Sequence, residues 1–174
     1  MCKLCFVLAI VMAMPVIAAE KPTISVGFSS STGRDALLLL LSGIEDAQRS
    51  IDVAAYSFTS KPVATALVAA QKRGVSIRVV ADKKANSDKY TAVTFLANKG
   101  ASVRLNGQYA AMHHKFMVID GDMVQTGSFN YTASAVSRNA ENALLIRNAP
   151  ELASKYQEEF NRLWNESAAL PSRY

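Results

Sequence analysis

Residues 113–130 read HHKFMVIDGDMVQTGSFN. Two short apolar segments, residues 115–119 and 123–126, lie on either side of Asp120-Gly121-Asp122. Aspartate and glycine between two apolar segments are typical of a β-hairpin turn. The stretch therefore predicts two antiparallel strands that carry polar side chains at both outer ends.

Outward from this hairpin, strand patterns alternate with helix patterns. The predicted strands cover residues 23–28, 51–58, 75–81 and 101–105, followed after the hairpin by 143–147. The predicted helices cover residues 34–47, 60–73, 87–98, with Ser87 as the cap, and a last helix that begins at Pro150. This alternation favours a layered α/β domain, and the hairpin makes its β-sheet mixed. We therefore expect an α/β fold in which a mixed sheet is flanked by helices.

The first nineteen residues have the pattern of a signal peptide. Lys3 precedes a continuous apolar segment, residues 6–14, and small residues before Glu20 offer a cleavage site. A membrane anchor is the alternative, which Pro15 weighs against. We expect residues 1–19 to be the signal peptide and residues 20–174 a single domain that works in the periplasm or is secreted.

Cysteine content and charge narrow the possible functions. Cys2 and Cys5 both precede the expected cleavage site, so the mature chain has no cysteine nucleophile, disulfide or cysteine-ligated zinc. The net charge of the chain is +5, and loss of Lys3 leaves 5 − 1 = +4. This basic balance favours an anionic partner, either nucleic acid or an acidic membrane surface, although a solvated basic surface is also compatible with it.

The residues with catalytic potential concentrate in the same stretch. The chain has two histidines, His113 and His114, and the first opens the pattern His-x-Lys-x-x-x-x-Asp with Lys115 and Asp120. Gly127-Ser128-Phe129-Asn130 follows at a short fixed distance. Histidine and lysine two residues apart on a strand share one face of the sheet, so they can act together.

This combination resembles the phospholipase D superfamily, in which HxKxxxxD is followed by GSxN. The sequence is most similar to the small bacterial endonucleases of the Nuc type, which carry one copy of the motif. Residues 51–58 and 73–79 resemble the upstream strands of the same family, so the similarity covers essentially the whole mature chain. The resemblance implies a phospholipase D-like sandwich and a phosphodiesterase.

Elementary chemistry gives each motif residue a role. A neutral imidazole can attack phosphorus directly, which makes His113 the expected nucleophile. Lys115 and Asn130 can hold non-bridging phosphate oxygens in the transition state. Ser128 can donate a hydrogen bond to the same phosphate or orient a neighbouring side chain.

Three further residues are assigned less directly. The family resemblance implies an acidic residue near Glu141, and we expect Glu141 to hold the second ring nitrogen of His113, the alternative being an isolated surface charge. Asp120 is a candidate catalytic residue by its place in the motif, but its spacing favours a structural hydrogen bond at the turn. His114 is expected to point away from His113 and to be a bystander.

One motif per chain predicts a homodimer. The leaving oxygen needs a proton from a group opposite the nucleophile, and a second His113 related by a two-fold axis can supply it. No cluster of histidines and carboxylates has the spacing of a metal site, so we expect no metal and no other cofactor.

Three function classes remain open. The first is a metal-independent, sequence-nonspecific endonuclease that cuts single- or double-stranded DNA, with a basic rim along the substrate path and with RNA left open as a further substrate. That rim would use Lys72, Arg73, Lys83, Lys84 and Lys89, unless Lys83 and Lys84 are simply a solvated loop. The second is a phospholipase D that hydrolyses phospholipid headgroups, although no long amphipathic segment indicates stable membrane association. The third is a binding protein with an inactive site.

Overall fold

The computed structural model of the chain describes residues 20–30, 33–88 and 91–172. Its strands are β1 Thr23–Ser29, β2 Ser50–Ala55, β3 Ser76–Asp82, β4 Ser102–Asn106, β5 Lys115–Ile119, β6 Met123–Gly127, β7 Glu141–Arg147 and β8 Ala168–Ala169. Its helices are α1 Asp35–Asp46, α2 Lys61–Lys72, α3 Ala92–Asn98, α4 Ala133–Ser137 and α5 Pro150–Asn165. The predicted signal peptide, residues 1–19, lies outside the described residues.

The strands form one mixed sheet in the order β1-β7-β6-β5-β2-β3-β4-β8. The pairs β2–β3 and β3–β4 are parallel, and the helices α2 and α3 make the crossovers that parallel neighbours need. The hairpin of β5 and β6 pairs antiparallel with β2 on one side and β7 on the other. The predicted α/β class with a mixed, helix-flanked sheet is confirmed.

Both faces of the central strands are buried, which explains their nearly continuous apolar sequence. On one face, Ile51, Val53 and Ala55 pack in the core beneath the helices α1, α2 and α3. On the other face, Ala54 belongs to a second core against α5, together with Phe160. The sheet is therefore the middle layer of a three-layer domain.

A buried ion pair attaches α5 to this second face. Asp52 is 4% exposed and accepts hydrogen bonds from Arg78 Nε at 2.7 Å and from Gln157 Nε2 at 2.7 Å. The Arg78 guanidinium also lies over the rings of Phe160 and Trp164. A carboxylate buried in a strand is costly unless it is paired, and here both the sheet and α5 supply partners.

The end of β2 and the start of α3 differ from the boundaries predicted from the sequence, because contacts elsewhere in the fold override the local sequence pattern. The strand β2 ends at Ala55 because the chain then leaves the sheet, and Phe58 forms only an isolated bridge with Tyr131. Ser87 was wrong as a helix cap: α3 begins after Thr91, whose Oγ1 accepts from the backbone N–H of Thr94 at 3.2 Å.

Three other differences are additions. The strand β7 begins at Glu141 rather than at residue 143, since antiparallel pairing with β1 extends to Ser29. The helix α4 and the strand β8 were not anticipated, because they contain five and two residues and are too short for a periodic pattern.

Asp120 fixes the turn between β5 and β6 to the rest of the domain. Its carboxylate accepts the backbone N–H groups of Gln48, Arg49 and Ser50 at 2.7–2.9 Å. Its backbone has φ 55°, a left-handed conformation that aspartate and asparagine tolerate well. Partial burial alone would raise the pKa of Asp120, but these three N–H donors and the Arg49 guanidinium outweigh it and lower the pKa.

We expect Asp120→Asn to lower the free energy of unfolding by about 1–2 kcal/mol at pH 7, because the loop before β2 loses a charged acceptor. The folded-state pKa of Asp120 is depressed, so this stabilisation is present above the unfolded pKa, about 3.9, and is lost as the pH falls through the folded pKa. Urea unfolding of both proteins across this pH range measures it.

Asp122→Asn is the matched control, since within the described residues the Asp122 side chain accepts no hydrogen bond. Equal destabilisation by the two substitutions, or a difference from the parent chain that persists at acid pH, would contradict the structural role of Asp120.

Candidate active site

The start of β5 carries the candidate nucleophile. Lys115 Nζ lies 3.1 Å from Nδ1 of His113 and donates to the His113 carbonyl at 2.7 Å. The backbone N–H of Tyr56 donates to the carbonyl of His114 at 2.8 Å, which continues the β2–β5 pairing one step beyond the strand end. His113 and Lys115 therefore lie together, as their spacing predicts.

Tyr56 is a further residue of the site, which the sequence pattern does not reveal. Its ring packs on the His113 imidazole with 4.4 Å between ring centroids, and Lys115 Nζ lies 5.3 Å from the Tyr56 centroid. The contact limits the orientations that the imidazole can adopt. Tyr56 directly follows β2, and only the pairing of Ala55 with Lys115 brings it beside the histidine.

The end of β6 supplies the second half of the site. Ser128 and Asn130 line the same pocket as His113, whereas Phe129 between them is buried in the core. Gly127 has φ 149°, and a Cβ at this position would collide with the carbonyl oxygen of Asn142. Glycine is thus required for β6 to pass β7 and turn these two side chains outward.

Glu141 hydrogen-bonds Ser128 rather than His113. Its Oε2 accepts from Ser128 Oγ at 2.6 Å, and its Oε1 accepts from Asn139 Nδ2 at 2.9 Å. The strand β6 separates β7 from β5, which places their backbones about 10 Å apart. The predicted Glu141–His113 hydrogen bond is therefore not formed within one chain, and it stays a prediction for a site completed by a second chain.

Asp120, a candidate by its place in the motif, and His114, the expected bystander, lie at opposite ends of β5. Asp120 is at the far end of β5, roughly 15 Å along the strand from Lys115, and does not line the pocket. His114 does line the pocket: its ring packs edge-on to Phe116, and its Nε2 is 3.1 Å from Glu159 on α5.

An open pocket of about 670 Å³ lies beside His113, Lys115, Ser128 and Asn130. Its lining comes from β5, β6 and α5: His113, His114, Lys115, Phe116, Thr126, Gly127, Ser128, Asn130, Lys155, Tyr156 and Glu159. Among the described residues, no group of three histidine, cysteine or carboxylate side chains is arranged to hold a metal ion. In the same part of the chain, no helix is long and apolar enough to cross a membrane.

Comparison with known proteins places this geometry in a family. Residues 40–164 match the family model described as the PLD-like domain of cardiolipin synthase. The chain belongs to the phospholipase D superfamily of phosphodiesterases. The solved phospholipase D family member Nuc, from Salmonella typhimurium, is 38% identical with a TM-score of 0.84, and the similarity covers 87% of this chain and all of Nuc. NucT from Helicobacter pylori is 26% identical with a TM-score of 0.79, over 86% of this chain and all of NucT.

Curated relatives carry lipid-related names. Mitochondrial cardiolipin hydrolase of Xenopus tropicalis is 38% identical over 130 residues, which is 75% of this chain and 60% of that protein. A phospholipase D of Rickettsia prowazekii is 36% identical over 125 residues, 72% of this chain and 61% of that protein. The chain thus spans about 60% of the length of these relatives. The expected similarity to the phospholipase D superfamily and to Nuc is confirmed.

Lys115 sits in an environment that favours its neutral form more than water does. Partial burial lowers the pKa of Lys115, and the Glu141 carboxylate opposes this shift by stabilising the ammonium. The charge of Lys115 on β5 is therefore coupled to the charge of Glu141 on β7.

We expect Glu141→Gln to lower the pKa of Lys115 further, because the substitution removes the negative charge that stabilises the ammonium. An NMR titration of the Lys115 Cε resonance measures this shift. Glu158→Gln, which removes the same charge from the exposed side of α5, should leave the titration where it is. A Lys115 midpoint that does not move in Glu141→Gln would refute the coupling.

Proposed function

We propose that this chain is an endonuclease that hydrolyses phosphodiester bonds of DNA through a phosphohistidine, in an active site completed by a second copy of the chain. The observation that carries the proposal is the pocket in which His113, Lys115, Ser128 and Asn130 converge. The structural similarity to Nuc and NucT supports a nuclease over other superfamily activities.

The proposed reaction has two steps. First, a ring nitrogen of His113 attacks phosphorus, the P–N bond forms, and the bond to the leaving oxygen breaks as that oxygen takes a proton from the partner's histidine. Second, water attacks the phosphohistidine, gives its proton back to that same histidine, and the P–N bond breaks. The products are a free hydroxyl and a phosphate monoester, and the enzyme returns to its starting state.

Lys115 and Asn130 are placed to bind the phosphate during these steps. Lys115 Nζ lies beside the attacking imidazole. Its positive charge can stabilise the negative charge on the oxygens of the pentacoordinate phosphorus in the transition state. Among the described residues the Asn130 side-chain amide forms no hydrogen bond, so its Nδ2 N–H groups can donate to a phosphate oxygen in the pocket. Ser128, which lines the same pocket, donates a hydrogen bond from its Oγ to the carboxylate of Glu141. We propose that this cationic and amide set, rather than a metal ion, stabilises the transition state.

An open apolar face supports the second copy. Along β1, Ile24, Val26 and Phe28 point to one side and are 57–69% exposed, although all three are large and apolar. The helix α5 packs over the strands β2 to β6 on this side of the sheet and does not reach β1 to bury them. Exposed apolar side chains in a row on an edge strand are typical of an interface.

This face continues into the pocket. Val26 pairs with Leu144, and Leu144 pairs with Thr126, which lines the pocket. Directly paired residues share a face of the sheet, so the row from Val26 to Thr126 spans only about 10 Å. We propose that two chains pack through this face around a two-fold axis, which brings the two His113 pockets together.

A phospholipase is the second candidate, because relatives at 38% identity are named mitochondrial cardiolipin hydrolase. The same histidine chemistry would serve a phospholipid headgroup. The nuclease is favoured because the Nuc similarity extends over the whole of that protein, whereas the cardiolipin hydrolases are matched over 60% of their length. We further propose that residues 20–174 form the mature domain after removal of residues 1–19, in the periplasm or outside the cell.

We expect purified residues 20–174 to nick plasmid DNA in excess EDTA and to leave cardiolipin vesicles intact. His113→Ala should reduce DNA cleavage by on the order of 10⁴-fold or more, and Lys115→Ala by about 10²–10³-fold. Gel assays of plasmid and thin-layer chromatography of labelled lipid decide between the two substrates.

Lipid cleavage without DNA cleavage would replace the nuclease with the phospholipase. Activity that is lost in EDTA and returns on addition of a divalent ion would reject the metal-independent mechanism. Inactivity of the parent chain on both substrates would leave a binding protein.

We expect Val26→Asp to convert the dimer into a monomer and to abolish DNA cleavage, since a charge on each chain opposes burial of the β1 face. Light scattering after size exclusion measures the mass. Leu38→Asp is the control, because Leu38 is similarly exposed but lies on α1.

A 1:1 mixture of the parent chain and the His113→Ala variant tests whether two chains share one active site. After subunit exchange about one quarter of the dimers carry two intact histidines, so activity should fall to about that fraction of an equal total amount of parent protein. A fully active Val26→Asp monomer, or activity that falls only to one half, would contradict the shared site.

A further inference from the structure

The α5 side of the pocket carries polar and charged side chains that the proposed reaction does not use. Lys155, Tyr156 and Glu159 line it from the helix, and His114 lines it from the segment before β5. The pocket volume of about 670 Å³ falls well inside the range of about 300–1,000 Å³ that whole small-molecule ligands occupy. The pocket thus has room for more of the substrate than the phosphodiester beside His113.

Glu159 is held by an ionic network and cannot serve as a free counter-ion. Arg162 donates to both of its oxygens, from Nε at 2.9 Å and from Nη2 at 2.7 Å, and His114 Nε2 lies 3.1 Å from Oε1. Hydrogen bonds from Arg162, partly opposed by burial and assisted by the charges of Arg162 and His114, lower the pKa of Glu159. The carboxylate is therefore neutralised locally.

Lys155 is the residue that this arrangement leaves without a partner. Glu159 is four residues after Lys155 on α5, the spacing at which a helix ordinarily pairs opposite charges. Because Arg162 and His114 already engage Glu159, Lys155 forms no ion pair within the described residues, and its side chain is exposed at the pocket wall. An unpaired ammonium beside a phosphodiester site attracts a second anion.

We propose that Lys155 forms a second phosphate subsite, which binds the phosphate next to the one that His113 attacks in a polynucleotide strand. Arg162 is a positioning residue in this proposal, since it keeps Glu159 from pairing with Lys155. The subsite rests on the proposed nuclease function and adds to it a requirement for a neighbouring phosphate. Substrates with two linked phosphates are then preferred over a lone diester.

Two short substrates test the subsite directly. A thymidine dinucleotide without terminal phosphates has one phosphodiester, and the trinucleotide has two. The parent chain should show a kcat/KM gain of about three- to fivefold or more on the trinucleotide, and Lys155→Ala should lose most of this gain. Lys99→Ala, which removes the same charge from an exposed lysine after α3, should keep it.

Two further measurements use the same variants. The negative slope of log(kcat/KM) for a longer single strand against log salt should become shallower by about 0.7 in Lys155→Ala, as expected for loss of one phosphate contact. Arg162→Gln should also reduce the trinucleotide gain because Glu159 becomes free to pair with Lys155, and Arg162→Gln combined with Lys155→Ala should reduce it no further.

The outcomes distinguish a failure of the proposed subsite from a failure of the proposed nuclease function. If the parent chain cuts DNA but Lys155→Ala retains the full gain and salt slope, the subsite is overturned and the nuclease stands. If Arg162→Gln and Lys155→Ala lower the gain additively, Arg162 binds substrate itself and the positioning role is wrong. If the parent chain cuts neither DNA nor the short substrates, the nuclease proposal fails.

Discussion

The antiparallel pairing of β5 with β6 is the constraint on which the site depends. Because the two strands run in opposite directions, the start of β5 and the end of β6 lie at the same end of the sheet, with Phe116 opposite Thr126. A shift of one residue in this register would exchange the faces of every side chain on the hairpin. The Asp120 contacts at the other end oppose such a shift, so a residue far from the pocket helps to keep both of its halves aligned.

The same constraint explains which parts of the site can be predicted from the sequence. His113, Lys115, Ser128 and Asn130 belong to one hairpin, so their proximity follows from local pattern and turn chemistry. Tyr56 does not, since its place beside His113 depends on the antiparallel pairing of β2 with β5, residues distant in the chain. Local propensity predicts that β2 is a strand but not which strand pairs with it. For that reason the contact between Tyr56 and His113 was not anticipated.

The Glu141 assignment shows a different limit. Family resemblance supplies an acidic residue at about this position, but the strand β6 lies between it and His113, and Ser128 is the nearer partner. Sequence spacing cannot tell which of two donors, the Ser128 hydroxyl or a ring N–H of His113, a carboxylate accepts from. The cap of α3 was wrongly predicted for a related reason: Thr91 caps this helix because its hydroxyl accepts from the Thr94 N–H, a contact that the local pattern at Ser87 does not reveal.

The proposed dimer accounts for both the open β1 face and the single copy of the His-x-Lys motif in the chain. If the apolar row of Ile24, Val26 and Phe28 rested on a membrane, the pocket beside it would lack the second His113 that the proposed mechanism uses to protonate the leaving oxygen. If a second copy covers the row, burial of apolar surface contributes roughly 25 cal/mol per Å² and the same contact brings the second imidazole. In the proposed dimer each chain would contribute one His113 and one Lys155 to the substrate path, which is the arrangement that the proposed cleavage of a polynucleotide strand requires.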